Sequence, residues 1–411
     1  MAQTQIPFGS PLARKVFGAA VFSETCRRPT FMNRLTGPAP TISSETAKME
    51  RMVTDPNYPC MRITDLAKSR GDTVSVDMFN ILTGKPVVGD KNLSGKMMSL
   101  KASSQDIRID QIRGGVDPGG RMTQQRTVHD LRAAARSNMV GWWNRFLDQW
   151  RFVALGGDRG SMITQDWVIP LASDPDFLDI MVNAPSCPTY NRQFYANNAA
   201  SLDALDTTDV ISLSDIDRLR ALIDDSDIPL QPIILPDDPG GMDDNLYVLI
   251  ISSRQWRDLQ TATGPTAWRT FVSNARERAS SNPLFTGEIG MWNGILVKKT
   301  SRAIRFNPGD VVNVATSAAT YTTTTKTVPA LTGYTVDRAL LLGAQAMAEV
   351  WGKDSDSGTH MRWWEEVTDH GNRYESSVSG MGGMAKLRVK DINGVDTDHG
   401  VFALDTVTKG P

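Results

Sequence analysis

The chain has 411 residues, of which 40% are hydrophobic and 22% charged, and its formal net charge is −2. That length can bury a large core and allows two or three domains. The near-neutral balance excludes a polycation that holds nucleic acid by overall charge alone.

Residues 1 to 71 are broken by Pro7, Pro11, Pro29, Pro38, Pro40, Pro56 and Pro59. They read as an extended arm, with Ser44 to Met52 as its best helical piece. Thr73 to Ile81 and Ser99 to Asp110 follow as the two sides of a long β-hairpin, with a Gly-, Pro- and Lys-bearing tip from Thr83 to Lys96. A lone two-stranded ribbon is marginal in water. The hairpin therefore has to lie on another surface, and a second copy of the chain is the expected one. Val74, Val76, Phe79, Ile107 and Ile109 are its candidate apolar contacts, and Lys85, Lys91 and Lys96 its candidate polar ones. Gly114, Gly115, Gly119 and Gly120, around Pro118, read as a flexible hinge.

Thr123 is the expected N-cap of a long helix. Val128, Leu131, Ala135, Met139, Trp142, Phe146, Trp150 and Val153 recur every third or fourth residue along one face. The helix would be about 45 Å long, ending at Gly156 and Gly157. Residues 158 to 200 are irregular. A helix capped by Ser212 or Ser214 runs through Ile223. The apolar run Leu246 to Ile251 reads as a buried strand. Helices are expected from Ser252 to Thr261, from Trp268 to Ser280 and, small and apolar all round, from Ala339 to Val350. Strands are expected at Gly294 to Lys299, Tyr374 to Val378, Ala385 to Val389 and Gly400 to Leu404. The alternation lacks a strict βαβ repeat, so the class is α+β.

Chemistry is sparse. The cysteines Cys26, Cys60 and Cys187 show no metal-ligand spacing and fit a reducing compartment. Of the four histidines, His129 begins the long helix, while His370 and His399, each in Asp-His-Gly, suit turn tips better than ligands. No phosphate loop, nucleophile elbow or HExxH motif occurs, and Gly380 to Gly383 reads as a turn. The best residual cluster is Asp237, Asp238, Asp243 and Asp244; a solvated turn is favoured over a cation site there. Arg126, Arg132, Arg136, Arg145 and Arg151 line the long helix and could face a polyanion without reading bases; ordinary pairing and solvation is an equal alternative. No apolar run is long enough for a membrane-spanning helix, and Met1 to Ser10 holds no apolar signal core.

Three segments carry a likeness: Gly71 to Val74 with Gly89 to Gly95; Gln125 to Arg132 with the Trp-rich helix after it; and Asn282 to Val297. In order and spacing, with Leu342 to Ala346 and Asp369 to Gly371, they resemble the major capsid proteins of tailed bacteriophages, with the Hong Kong 97-type fold. More narrowly the chain is similar to the capsid family of N4-like phages. The resemblance implies an arm over 1–71, an extended loop over 72–121, a peripheral domain from 122–200 and 360–411 around the long helix, and an axial domain over 201–359. It implies a non-enzymatic shell protein without cofactors that assembles with itself into an icosahedral container for double-stranded DNA. Implied partners are portal, scaffolding or decoration proteins and packaged DNA, with no membrane, in a virion assembled in the bacterial cytoplasm. The alternatives are a metal-dependent enzyme using the Asp237 cluster, or another phage part such as a tail-tube or decoration protein.

Overall fold

The computed structural model describes residues 32, 35–38, 58–63, 72–79, 84–98, 102–234, 245–278, 289–317, 321–352, 359–391 and 394–410. The expected Ser44 to Met52 helix and the Asp237 cluster lie outside them. Strands are numbered along the chain. One sheet has the order β1 (Thr36–Pro38), β2 (Cys60–Ile63), β14 (Met347–Trp351), β16 (Arg373–Lys386) and β15 (Met361–Thr368), and β5 (Asp110–Val116) also pairs with β16. A second sheet has the order β6 (Gln193–Tyr195), β19 (Val401–Lys409), β13 (Tyr334–Leu342), β7 (Tyr247–Ser252), β9 (Ile295–Thr300) and β8 (Ile289–Trp292), with β10 (Ile304–Phe306) also on β13. Three ribbons complete the strands: β3 (Thr73–Phe79) with β4 (Ala102–Arg108), β11 (Val311–Ala315) with β12 (Thr323–Thr327), and β17 (Arg388–Lys390) with β18 (Asp396–Asp398).

The long helix is real but shorter than its pattern suggests. A separate exposed turn, α1 (Arg121–Arg126), precedes α2 (Leu131–Gly156). Asp130, not Thr123, is the cap: its carboxylate accepts from the Arg132 and Ala133 amides at 3.0 and 3.2 Å. Val128, placed on the apolar face by periodicity, sits before that cap and is fully exposed. Gly157 closes the helix at φ 71°, a left-handed stop that glycine adopts without strain. From Phe146 onward α2 is buried on all sides, across β16 and toward β10 and β13. Trp142 stacks on Phe146 at 5.6 Å, and Trp150 meets Phe146 at 5.3 Å. Trp143 and Trp150 are wholly buried, so the tryptophans are core anchors. Burying a side chain such as Phe146 contributes about 1.5–3 kcal/mol.

Beyond α3 (Phe177–Met181), the other helices sit close to where the pattern places them. α4 (Leu213–Asp224) and α5 (Ser253–Ala262) each open with a full capping box, Ser212 with Asp215 and Ser252 with Gln255. α6 (Pro265–Arg278) follows. The run read as a buried strand is β7, buried at every residue.

Three expectations fail. Ala339 to Val350 is not a helix: it spans the end of β13, a link at Gly343 to Ala346, and β14. Apolar residues all round a short segment carry no period, and here they are buried in two different sheets. Gly380 to Gly383 is no turn but the middle of β16, where a side chain on Gly383 would collide with the Arg108 carbonyl. Gly114 and Gly115 are no free hinge, because they pair in register with Val378 and Ser377. A Cβ on Gly114 would stand 2.8 Å from the Trp142 ring, so its glycine serves close packing of α2 on β5. Gly119 does turn the chain, at φ 89°, and Gly120 precedes α1.

After the long crossing from β5 through α2 to β6, the chain passes twice more between the sheets, at Gly343 to Ala346 and at Leu387 to Gly400. The passages hold each other: the Gly343 amide donates to Gly400 at 2.9 Å and the Leu387 amide to Ala346 at 3.0 Å. As a result β14, within the expected 201–359 unit, pairs with β16, and β19, within the expected 360–411 unit, pairs with β13. Part of the expected arm is likewise built into a sheet, with β2 parallel to β14 and Cys60 and Met61 buried.

Candidate interface: hairpin, anchor and long helix

β3 and β4 pair from Thr73–Arg108 to Phe79–Ala102. Alternation turns one face of this stem inward. Val74, Val76 and Ile107 are wholly buried there, with Ile109 partly buried, against Met61, Ala348, Val350, Leu387 and Val389 of the same chain. The expectation that the stem rests on a second copy is therefore corrected for these residues. The ribbon gains its missing third surface from its own body. The Phe79 side chain lies outside what is described.

Two amides that sequence reading missed clamp the stem. The Gln105 side chain donates to Lys386 O and accepts from the Arg388 amide, each at 2.9 Å, mimicking a neighbouring strand. Asn183 does the same to Arg108, donating to its carbonyl at 2.9 Å and accepting from its amide at 3.0 Å. Their partners lie 281 and 75 residues away, so no local pattern marks them. Gln105→Ala with Asn183→Ala is expected to lower stability by about 1–3 kcal/mol per clamp. Hydrogen exchange would show it as faster exchange across β3 and β4, with α2 unchanged.

The tip is different. Residues 84–98 contribute nothing to the core: Val88 is 70% exposed, Met97 74% and Leu93 53%. Lys85, Lys91 and Lys96 are exposed there, and among the described residues no ion pair engages them. The tip's internal ties are local, such as the Ser94 amide on the Asn92 side chain at 2.9 Å.

The five arginines are not brought to one face. Arg126 is exposed on α1. Arg132 makes a bidentate pair with Glu365, at 3.0 and 2.6 Å. Arg136 is half-buried, and Arg145 stands 3.7 Å from Asp166. Arg151 is 1% exposed and bound to Glu349 at 2.9 and 2.8 Å, so it cannot face a polyanion. Simple helical spacing cannot tell this inward arginine from the outward ones.

Glu349 is the hub that reading missed. It also accepts from Arg62 on β2 at 3.1 Å and from the Trp351 indole at 2.6 Å. Burial pushes its carboxyl up, but Arg151, Arg62 and Trp351 together pull it down to about 2. A second hub, Asp398, takes Lys386 and Arg388 at 2.8 Å each.

His399, beside that hub, is buried rather than at a turn tip, and its Nδ1 has no hydrogen-bond partner among the described residues. Burial, then the charge of Arg192, pushes it from 6.5 down to about 4. The unfolded chain thus takes up this proton first. Its contribution to stability is complete above 6.5 and is lost as pH falls toward 4. The Glu349 contribution is lost only below 4.5, down to about 2. Melting temperatures between pH 7 and 4.5 are expected to fall, and to fall less in His399→Gln.

A cleft of about 540 Å³ opens beside the stem, lined by Asp106, Arg108, Asp110, Leu178, Asp179 and Met384 among others.

Comparison with known proteins gives a consistent result. Residues 5–409 match a family model described as phage capsid protein. A stretch of 105 residues is 31% identical to the major capsid protein of Pseudomonas phage KPP25; it covers 25% of this chain and 28% of that relative. The fold is similar to the capsid of Ralstonia phage GP4, with a TM-score of 0.73 and 26% identity over 100% of this chain and 99% of the other. The Cyanophage Pam1 capsid subunit matches in fold, with a TM-score of 0.58 and 18% identity over 90% of this chain and 94% of that one.

Proposed function

The chain belongs to the phage capsid protein family, and from that premise we propose that it is a major capsid protein, many copies of which form the icosahedral shell around the double-stranded DNA of a tailed bacteriophage. The fold carrying this reading is mixed α+β, shared along the whole length of the chain with the capsid of Ralstonia phage GP4. Its finer assignment is the Hong Kong 97 type, within the N4-like capsid family. In that scheme α2 is the spine helix, β15 and β16 belong to the peripheral domain, β7 and β13 to the axial domain, and residues 72–121, with β5, to the extended loop.

The observation that carries the mechanism is the division of the hairpin. Its stem is clamped to the subunit, while its tip presents exposed apolar and lysine side chains that no core cluster of the described residues takes up. A fixed lever with a sticky end is suited to contact a neighbour, and repeated weak contacts around a closed shell accumulate. Gly119, rather than Gly114, Gly115 or Gly120, which is bridged to Arg373, is the place left for a change of angle. Of the arginines, Arg126 is exposed and has no ion pair among the described residues, and it is the one left to face packaged DNA. Portal, scaffolding or decoration proteins complete the set of partners, and the site of action is the virion, assembled in the host cytoplasm. Negative-stain microscopy of the purified chain tests the reading: closed shells of uniform diameter are expected, and subunits that stay monomeric at high concentration contradict it.

A further inference from the structure

We propose that Arg192, Thr397 and His399 form a buried site for a small inorganic anion, with chloride as its simplest occupant. The site is internal to the subunit and does not depend on the shell reading.

Three polar atoms without a partner stem from one short stretch of structure. Arg192 is 1% exposed, Thr397 3% and His399 9%. Arg192 Nη1, Thr397 Oγ1 and His399 Nδ1 have no hydrogen-bond partner among the described residues. The rest of the Arg192 guanidinium is fixed. Its Nε donates to the Asp398 carbonyl at 3.0 Å and its Nη2 to the Ile228 carbonyl at 2.5 Å, and the group lies over the Phe402 ring at 4.3 Å. Thr397 and His399 flank Asp398, so the guanidinium is anchored on the residue between the other two. Its charge is felt at the His399 ring. Buried polar groups in native proteins are nearly always satisfied, and three orphans around one residue mark a place built to receive something.

Charge decides between a water and an anion. Arg192, Arg388 and Lys386 gather around one carboxylate, Asp398. Lys386 and Arg388 take its two oxygens at 2.8 Å each, and Arg192 reaches only its carbonyl. Asp391 and Asp396, on the same passage, are engaged elsewhere, with the Val395 amide at 2.8 Å and with Lys390 at 3.1 Å. Burial drives Lys386 toward its neutral form. The two guanidiniums stay charged at neutral pH and still face a single carboxylate. Positive charge is therefore left over where little water reaches, and unpaired buried charge is costly. An anion accepting from Arg192, from the Thr397 hydroxyl and from a neutral His399 protonated on Nδ1 satisfies the three atoms and offsets the charge. A water would satisfy the atoms and leave the charge.

The position gives the anion a structural role. Arg192 closes the turn at 190–192, Ile228 lies in the loop after α4, and His399 belongs to the passage from Leu387 to Gly400, where its amide donates to the Leu387 carbonyl at 2.9 Å. An ion at this point pins one crossing between the sheets, and its occupancy stabilises the subunit by mass action.

The test uses the full chain at constant ionic strength. Sodium gluconate, whose anion is too bulky for a buried site of three donors, is exchanged stepwise for sodium chloride. The melting temperature is expected to rise by about 2 °C and to level off as the site fills. Arg192→Met removes both a donor and the excess charge, and is expected to abolish the chloride response. Thr397→Val keeps every charge and removes one donor, and is expected to shift the chloride midpoint upward by about ten-fold. Crystals of the wild-type chain grown in sodium bromide are expected to show an anomalous peak between Arg192, Thr397 and His399. Equal melting temperatures of the wild type in the two salts, a chloride response that both variants keep in full, or a site holding water with no bromide signal overturns the proposal. If Arg192→Met does not fold, Thr397→Val and the bromide crystal still decide.

Discussion

Glu349→Ala is expected to lower subunit stability by about 3–5 kcal/mol, because removing one partner strands a buried charge. The carboxylate joins three parts of the fold: Arg62 from β2, Arg151 from α2 and Trp351 from its own strand. Glu349 and Arg151 are both 1% exposed, so the orphaned guanidinium has no water to turn to. A loss of that size is a large share of a typical total of about 5–15 kcal/mol. Arg62→Ala should cost less, since Arg62 keeps 17% of its exposure and Arg151 still holds the carboxylate. Arg151→Met with Glu349→Leu should cost less than either single change, because a buried pair exchanged for apolar volume is often nearly neutral. Urea denaturation followed by tryptophan fluorescence would measure each variant. Equal stability of wild type and Glu349→Ala would mean that the hub does not hold β2 and α2 together.

Deleting Lys85 to Gly95 is expected to leave a folded subunit that forms no shells. The deletion lies beyond the stem, whose inward residues Val74, Val76 and Ile107 stay in the subunit core with both clamps intact. The melting temperature should therefore change little. Assembly should be lost, because the tip is exposed and has no counterpart among the described residues of the subunit. Circular dichroism together with electron microscopy separates the two effects. Normal particles from the deleted chain would refute the role of the tip.

Legibility from sequence followed the range of the physics. Local signals served well: a cap at Ser212 or Ser214 and a start at Ser252 located α4 and α5, and the unbroken apolar run of β7 marked a strand. The stem was visible from alternation alone, but what it rests on was not. Its clamps join residues 75 and 281 positions apart, and side-chain amides of Gln105 and Asn183 look like any surface amide in a one-dimensional pattern. Glycine misled twice. Gly114 and Gly383 read as joints or turns, but they lie in strands, and glycine is used there because the Trp142 ring and the Arg108 carbonyl leave no room for a Cβ. Arg151 misled because it sits at the same helical spacing as exposed arginines, and only Glu349, 198 residues away, explains its burial. Ala339 to Val350 misled because an all-apolar stretch has no period, and the passage between sheets begins at Gly343, packed against Gln231.

The central claim is that the tip of each hairpin is held by a neighbouring copy while its stem belongs to its own subunit. A cryo-electron-microscopy reconstruction of the assembled particle tests this most directly. Density for residues 84–98 lying on an adjacent subunit, with Gln105 and Asn183 still clamping the stem, is the predicted result. Tips that fold back onto the subunit that carries them, touching no other copy, would contradict it.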